Sequence, residues 1–162
     1  MCNSIVGYCF FLMEIAEIKV TYSTNKPDKI KLTTCQEVYE FIISKWDLDI
    51  IEFQEECKLI LLNRANCVLG IYELSKGGIA GTVVDIRVIL SVALKCNASS
   101  IILVHNHPSG NMKPSEADKK ITEKLKNACE LLDIHLLDHL IISKYEYYSF
   151  AKNENIINHT FS

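Results

Sequence analysis

Two spacings of hydrophobic residues alternate along this chain and predict its helices and strands. Apolar residues three or four positions apart, the spacing of one helix face, occur in residues 33–46, 85–98 and 114–134. Each segment opens near a residue that favours a helix N-cap: a threonine in the first, Asp85 in the second and Ser115 in the third. In the third segment we expect one buried stripe, formed by Ile121, Leu125, Cys129 and Leu132.

Short apolar runs predict the strands. Residues 57–63 and 67–75 flank a short polar link and favour an antiparallel hairpin. Residues 100–105 form a continuous apolar run, which is typical of a strand buried on both faces. We expect further strands at 135–143 and 145–151, and weaker ones at 14–23 and at the end of the glycine-containing segment 77–84. Strands and helices mixed in this way predict an α/β (α+β) fold, with helices flanking a mixed β-sheet.

The composition indicates a globular protein and gives no sign of a nucleic-acid-binding surface. The chain has 162 residues, about the length of one domain, and 49% of them are hydrophobic. Its formal net charge is −3, whereas domains that bind nucleic acid through phosphate contacts are clearly basic. The seven cysteines are scattered and form no C-x-x-C pair, so we expect reduced, largely buried thiols in a reducing compartment.

The amino-terminal residues are apolar but match neither a signal peptide nor a membrane span. No Lys or Arg precedes the hydrophobic run of residues 5–13, and the run is too short to cross a bilayer. We therefore expect a cytoplasmic protein without a membrane partner, with Met13 as a second candidate for the start of translation. Residues 1–35 are expected to form an arm, and residues 36–162 the functional domain.

Residues 102–118, ILVHNHPSGNMKPSEAD, place polar residues directly behind a buried strand. His105 and His107 are two positions apart, so on a strand both imidazoles face the same side. The Pro and Gly residues that follow turn the chain, and the helix opening at Ser115 carries Asp118 in its first turn. Folded back, this helix would bring a carboxylate to two imidazoles, the three-ligand arrangement of a catalytic zinc site. The residues alone leave a second interpretation open, because Ser115 and Asp118 also match a capping box that merely starts a helix.

The spacing H-N-H-P-S-G-(x)4-S-x-x-D resembles the signature of the JAMM (JAB/MPN) metalloenzymes. The Asn between the histidines and the Ser-Gly after the proline resemble the bacterial RadC branch, as do the segments GTVVDIRVILSVAL, LLDHLII and YYSFA. The resemblance covers residues 36–151 and implies an MPN/JAB domain with a cytidine-deaminase-like architecture. Full-length RadC-type proteins carry an amino-terminal helix-hairpin-helix region, for which residues 1–35 offer no room, so we expect a short form.

The resemblance also implies ligands and an oxyanion donor. His105, His107 and Asp118 correspond to the ligands of one Zn2+ ion. Ser115 corresponds to the serine that stabilises the oxyanion of the tetrahedral intermediate.

The general base implied by the resemblance is a glutamate on an earlier strand. We choose Glu55, with Glu56 as the alternative, and only one of the two can face the metal because strand neighbours point to opposite sides. In RadC-like chains an aromatic residue lies two positions after this glutamate, whereas here that position is Cys57.

The resemblance implies a zinc-dependent metallopeptidase or isopeptidase that cleaves an amide bond of a protein or peptide substrate. A DNA-repair or mobile-element-associated accessory protein acting on or near DNA is the alternative, and it rests on the family label alone. A non-catalytic scaffold is a third class, which the intact ligand set disfavours. The oligomeric state is left open, a dimer included. His139 has two interpretations: a hydrogen-bond donor beside the ligands, or a structural histidine or one that pairs with Asp138. We favour the second.

Overall fold

Five strands and four helices are present in the described residues of the computed structural model, which are 21–23, 30–77, 84–154 and 156–157. In chain order they are α1 (Cys35–Ile43), β1 (Glu56–Leu62), β2 (Val68–Lys76), α2 (Ile86–Lys95), β3 (Ser100–Asn106), α3 (Glu116–Glu130), β4 (His135–Ile142), β5 (Tyr147–Ser149) and α4 (Phe150–Asn153).

The strands form one mixed sheet in the order β2-β1-β3-β4-β5. The predicted hairpin is confirmed, since β1 and β2 pair antiparallel. Strands β3 and β4 are the parallel pair, and α3 makes the crossover that a parallel pair requires. The other neighbouring pairs are antiparallel. The mixed sheet with flanking helices agrees with the fold class expected from the sequence.

Apolar layers cover both faces of the sheet, and alternate residues of each central strand enter different layers. Ile101 and Leu103 of β3 pack in a layer with α2, α3 and α4. Ile102 and Val104 pack in the second layer, against α1 and the segment that follows it. All seven residues of β3 are buried, so the prediction of a strand covered on both faces is confirmed.

Side-chain caps fix where the helices begin. Thr34 caps α1 through a capping box with Glu37, and Asp85 caps α2 by accepting a hydrogen bond from the amide of Arg87. The cap of α3 is Ser115, again in a capping box, and its partner is Asp118. The predicted helix starts are therefore confirmed, and the cap of α3 holds Asp118 at the sheet edge where β3 ends.

Two sequence predictions in the second half of the chain are only partly correct. Leu125 and Cys129 of the expected stripe are buried, but Leu132 is 40% exposed because α3 ends at Glu130, and Thr122 joins the buried face. The last strand is shorter than the expected 145–151, because the Ser149 side chain accepts a hydrogen bond from the Lys152 amide and starts α4. Short polar side chains that bind the backbone locally compete with the sheet in this way.

Other predictions lie largely outside the described residues. The expected strand at 14–23 is described only at 21–23, which are not in a strand, and the segment 77–84 is described only at its two ends. Met13, Cys2 and Cys9 also lie outside. The five described cysteines are all free thiols, and three of them are buried. Among the described helices, none combines the length and the apolar character needed to span a membrane.

We expect Ile101→Ala and Ile102→Ala each to lower the free energy of unfolding by about 2–5 kcal/mol, because truncation leaves a cavity in one of the two layers. Val88→Ala, at a partly exposed position of α2, is the control and should change it by less than about 0.5 kcal/mol. Chemical denaturation followed by circular dichroism measures all three. A loss confined to one isoleucine would contradict a sheet filled on both faces.

Candidate metal centre

Two histidines and an aspartate converge where β3 ends and α3 begins. His105 lies in β3 on the face covered by α3, and His107 follows the strand, its amide donating to the Ile142 carbonyl at 3.0 Å. The chain then turns through Gly110, whose φ of 71° lies in the left-handed region that favours glycine. This turn returns the chain to the sheet edge, so that Asp118 meets the histidines in the first turn of α3.

The three side chains direct their donor atoms at one point. The Nε2 atoms of His105 and His107 lie 3.0 Å apart. The carboxylate of Asp118 approaches both, with Oδ1 3.3 Å from Nε2 of His105 and Oδ2 3.8 Å from Nε2 of His107. One ligand atom from each residue lies within 4.8 Å of the others, so the cluster is of a size to hold a metal ion.

Hydrogen bonding determines which nitrogen of His107 carries the proton. Its Nδ1 lies 2.6 Å from the carbonyl oxygen of Asn111, which only accepts. Nδ1 is therefore protonated, and the Nε2 lone pair of the neutral ring is directed at the cluster. A second partner on the far ring nitrogen is the usual way a protein orients a ligating histidine.

A buried chain of hydrogen bonds makes the same assignment for His105. The hydroxyl of Thr122 donates to the Asp118 carbonyl at 2.6 Å, so it must accept from Nδ1 of His139, also at 2.6 Å. Nε2 of His139 then carries a lone pair and accepts from Nδ1 of His105 at 2.8 Å. This leaves Nε2 of His105 unprotonated. Two nitrogen lone pairs and a carboxylate at such short separations repel one another unless a cation or a proton lies between them.

The imidazole of His139 contacts His105 and Thr122 rather than Asp138, so the predicted pairing with Asp138 is wrong. Asp138 accepts a hydrogen bond from the backbone amide of His139, while the imidazole of His139 faces the cluster. The ring stacks on Phe150 at a centroid distance of 4.8 Å. Burial lowers the pKa of His139 well below its usual value. A neutral His139 is what the chain of hydrogen bonds requires.

Asp118 remains ionised although it is half-buried. Burial raises the pKa of this carboxyl, but a hydrogen bond and positive charge from His105 in its protonated form and hydrogen bonds from Ser115 outweigh it and hold the pKa far below the usual value. The Ser115 amide and hydroxyl both donate to Oδ2, at 2.7 and 2.6 Å. The capping box and the cluster therefore share one carboxylate. The capping-box interpretation and the metal-ligand interpretation of this motif are thus compatible.

Glu55 lies directly before β1 and lines the cavity beside the cluster. Cys57, His105 and Asp118 line the same cavity, whose volume is about 130 Å3. Burial raises the pKa of the Cys57 thiol, and the nearby charges of Glu55 and Asp118 raise it further. The protonated thiol is a weak competitor for a cation.

Glu56 points away from the cluster. It is almost fully buried, and its carboxylate forms ion pairs with Lys76 at 3.3 Å and Lys58 at 3.6 Å. The Lys58 ammonium group lies 4.5 Å from the centre of the Trp46 ring, in the layer that contains α1. Of the two glutamates that the sequence offers, Glu55 is the one that the fold brings to the cluster.

An open groove continues from the cluster to the surface. Its volume is about 460 Å3, and Glu55, His107 and Ser115 line it. Phe53, which is 80% exposed, stands at its rim with Lys113. The residues selected from the sequence therefore all border one of two adjoining cavities: Glu55, His105, His107, Ser115 and Asp118.

Sequence reasoning missed Thr122. The residue follows Asp118 by four positions, so both lie on one helix face, and this spacing was the available signal. The apolar spacing instead favoured a buried stripe through Ile121 and gave no reason to select Thr122, the residue that follows it.

Comparisons with known proteins agree on one family. A family model described as the RadC-like JAB domain matches residues 32–156. A UPF0758 protein of Flavobacterium johnsoniae is 53% identical over 97 residues, 60% of this chain and 42% of that protein. A UPF0758 protein of Streptococcus sanguinis is 41% identical over 114 residues, 70% of this chain and 50% of that protein. The chain thus spans at most about half the length of these relatives.

We expect Thr122→Val to weaken Zn2+ binding by about 10- to 100-fold, the usual effect of removing a partner of a metal-ligating histidine. Without the hydroxyl, His139 and His105 can exchange tautomers, which places a proton on Nε2 of His105. Thr122→Ser keeps the hydroxyl and is the matched control. Competition with a chromophoric chelator measures the affinity, and equal affinities for the two variants would contradict the assignment.

Proposed function

Since the chain belongs to the RadC-like JAB domain family, we propose that it is a zinc-dependent hydrolase that cleaves an amide bond, as a peptidase or isopeptidase. The observation that carries the proposal is the convergence of two unprotonated imidazole nitrogens and an ionised carboxylate, with Glu55 lining the adjoining cavity. Three protein ligands leave a coordination position open, which distinguishes a catalytic zinc site from a structural one.

The ligand set suits zinc better than a hard cation. His105 and His107 offer imidazole nitrogens, and Asp118 offers one carboxylate, whereas Mg2+ and Ca2+ prefer a shell of oxygens. When bound, zinc supplies Lewis acidity and lowers the pKa of a coordinated water toward neutrality. In this proposal His105, His107 and Asp118 hold the ion.

Glu55 acts as the general base in this proposal. A carboxylate beside the ligands can accept a proton from the attacking water and return it to the leaving amine. Glu55 lines both the small cavity and the open groove, which supports this role. Glu56 supplies no such route, because its carboxylate lies on the other face of the sheet with Lys58 and Lys76.

Ser115 is the proposed donor to the oxyanion. It lines the groove, and its hydroxyl donates to Asp118 in this structure. We expect the hydroxyl to rotate toward the oxyanion when substrate occupies the groove, while the Ser115 amide keeps its bond to Asp118. A single donor at an oxyanion contributes about 10²- to 10³-fold in rate.

A peptide is the substrate class that fits the groove. The open surface admits an extended chain, and exposed Phe53 offers an apolar contact at the rim for a substrate side chain. The net charge of −3 does not favour the alternative of a DNA-associated protein. Salt-dependent binding to branched or single-stranded DNA would favour that alternative.

Purified wild-type protein supplied with Zn2+ should contain about one ion per chain, measured by inductively coupled plasma mass spectrometry. His107→Ala should retain almost none, and Asp118→Asn should bind at least about tenfold more weakly. Asp85→Asn is the matched control, because Asp85 caps α2 away from the cluster. A wild-type protein that stays free of zinc after reconstitution would contradict the proposal.

Glu55→Gln should keep the zinc and lower hydrolysis by about 10²- to 10⁴-fold, the usual contribution of a general base. Glu56→Gln is the neighbouring control and should keep hydrolysis while lowering the thermal unfolding midpoint, since it breaks a buried ion pair with Lys58 and Lys76. New amino termini in a proteome-derived peptide pool, counted by mass spectrometry, measure hydrolysis. The reverse result for the two glutamates would assign the base to Glu56.

A further inference from the structure

Asn106 lies between the two histidines, yet its side chain belongs to the opposite face of the sheet. It alternates with His105 on β3, so it shares the face of Ile102 and Val104 in the layer that contains α1. Asn106 is 0% exposed. A buried amide that does not contact the cluster requires another explanation for its position.

The amide group of Asn106 binds the segment that carries Glu55 at three points. Nδ2 donates to the carbonyl oxygens of Ile51 at 2.6 Å and Gln54 at 2.8 Å. Oδ1 accepts from the amide of Glu56 at 2.7 Å. Both hydrogens and the oxygen of the side chain are thus used within residues 51–56.

These bonds hold the backbone of residues 54–56 from the β3 side, and Gly77, the residue after β2, holds it from the β2 side. The Glu55 carbonyl accepts from the amide of Gly77 at 2.8 Å. The backbone at Glu55 therefore stays extended in line with β1, whose side chains point to alternate faces of the sheet. Glu55 thus lies on the same face as Cys57 and the cluster.

The chemistry of the contacts selects asparagine. The segment presents two carbonyl acceptors and one amide donor, which only a primary amide can satisfy from one side chain. An aspartate of the same size would set a negative charge against two carbonyl oxygens. A serine in the same place has a single hydrogen to donate.

We propose that Asn106 is the positioning residue for Glu55, which rests on the proposed role of Glu55 as general base. His105 and Asn106 are adjacent in β3 and His107 follows directly, so both histidines face the cluster on one side of the sheet while Asn106 contacts the segment that carries Glu55 on the other. The backbone of residues 105–107 then determines the distance between Glu55 and the two histidines. Asn106 itself touches neither the ion nor the substrate.

The test compares Asn106→Ala and the nearly isosteric Asn106→Asp with Asn63→Ala in the full chain. Asn63 fixes a different loop at the other end of β1, where its Oδ1 accepts from the amides of Ala65 and Cys67 at 2.9 and 3.0 Å. It is therefore a matched control for loosening a loop without reaching the cluster.

Hydrogen exchange measured by NMR reads the positioning directly. Both Asn106 variants should exchange the Glu56 amide at least about tenfold faster, while amides of the β1–β3 ladder such as Lys58 and Ile60 keep their protection. Zinc affinity should stay within about twofold of wild type, because the ligands lie on the other face. Unchanged exchange at Glu56, or loss of protection throughout the ladder in both variants, would overturn the proposal.

Kinetics on a cleaved peptide from the pool test whether the positioning acts through Glu55. Both Asn106 variants should lower kcat by about the factor found for Glu55→Gln and leave KM unchanged. Combining either with Glu55→Gln should lower kcat no further, since the two act as one unit. Asn63→Ala should keep the wild-type kcat.

The outcomes separate this inference from the proposed function. If wild-type protein loaded with zinc cleaves no peptide, the proposed function fails, and exchange at Glu56 still decides whether Asn106 fixes residues 51–56. If the wild type cleaves peptide and Asn106→Asp keeps its kcat, or adds fully to Glu55→Gln, the positioning role fails and the proposed function stands.

Discussion

The antiparallel pairing of β1 with β3 is the constraint on which the whole candidate centre depends. Its register sets Cys57 opposite His105, so the residue two positions before Cys57 reaches the same face as the histidine. A slip of one residue would send Glu56 to the cluster and Glu55 to the layer with α1. The apolar residues that alternate along both strands prevent that slip, because each is buried in its own layer. The hydrophobic core thus determines which carboxylate can take part in chemistry.

Hydrogen bonds then determine which ring nitrogen of His105 and of His107 carries the proton. Backbone carbonyl oxygens, which only accept, begin both chains of contacts: Asn111 for His107, and Asp118 through Thr122 and His139 for His105. Each chain ends with a lone pair at Nε2. The contacts that reach His105 are buried and begin in α3, so its tautomer is part of the fold, while the His107 tautomer is fixed by the loop before α3. Such preorganisation reduces the cost of ordering a site when its ligand arrives.

Much of this arrangement could be predicted from the sequence, because local patterns carry it. Capping residues predicted the helix starts, strand alternation predicted that His105 and His107 face the same side, and the resemblance indicated a glutamate on an earlier strand. The hydrogen bond between Thr122 and His139 could not be predicted, since it joins α3 to β4 and the spacing of Thr122 from Asp118 indicates only a shared helix face. The three bonds of Asn106 cross fifty to fifty-five residues of sequence. The short β5 and exposed Leu132 were missed because local capping and the end of α3 override residue preference.

The shared carboxylate of Asp118 has a thermodynamic consequence. The same oxygen that accepts from Ser115 at the start of α3 lies next to the imidazoles of the cluster, so helix initiation and ion binding draw on one group. Ligands that bind only the native state raise its stability in proportion to the logarithm of their concentration. An ion held by the cluster would therefore also stabilise the native fold, because the carboxylate that it contacts is the one that completes the capping box of α3.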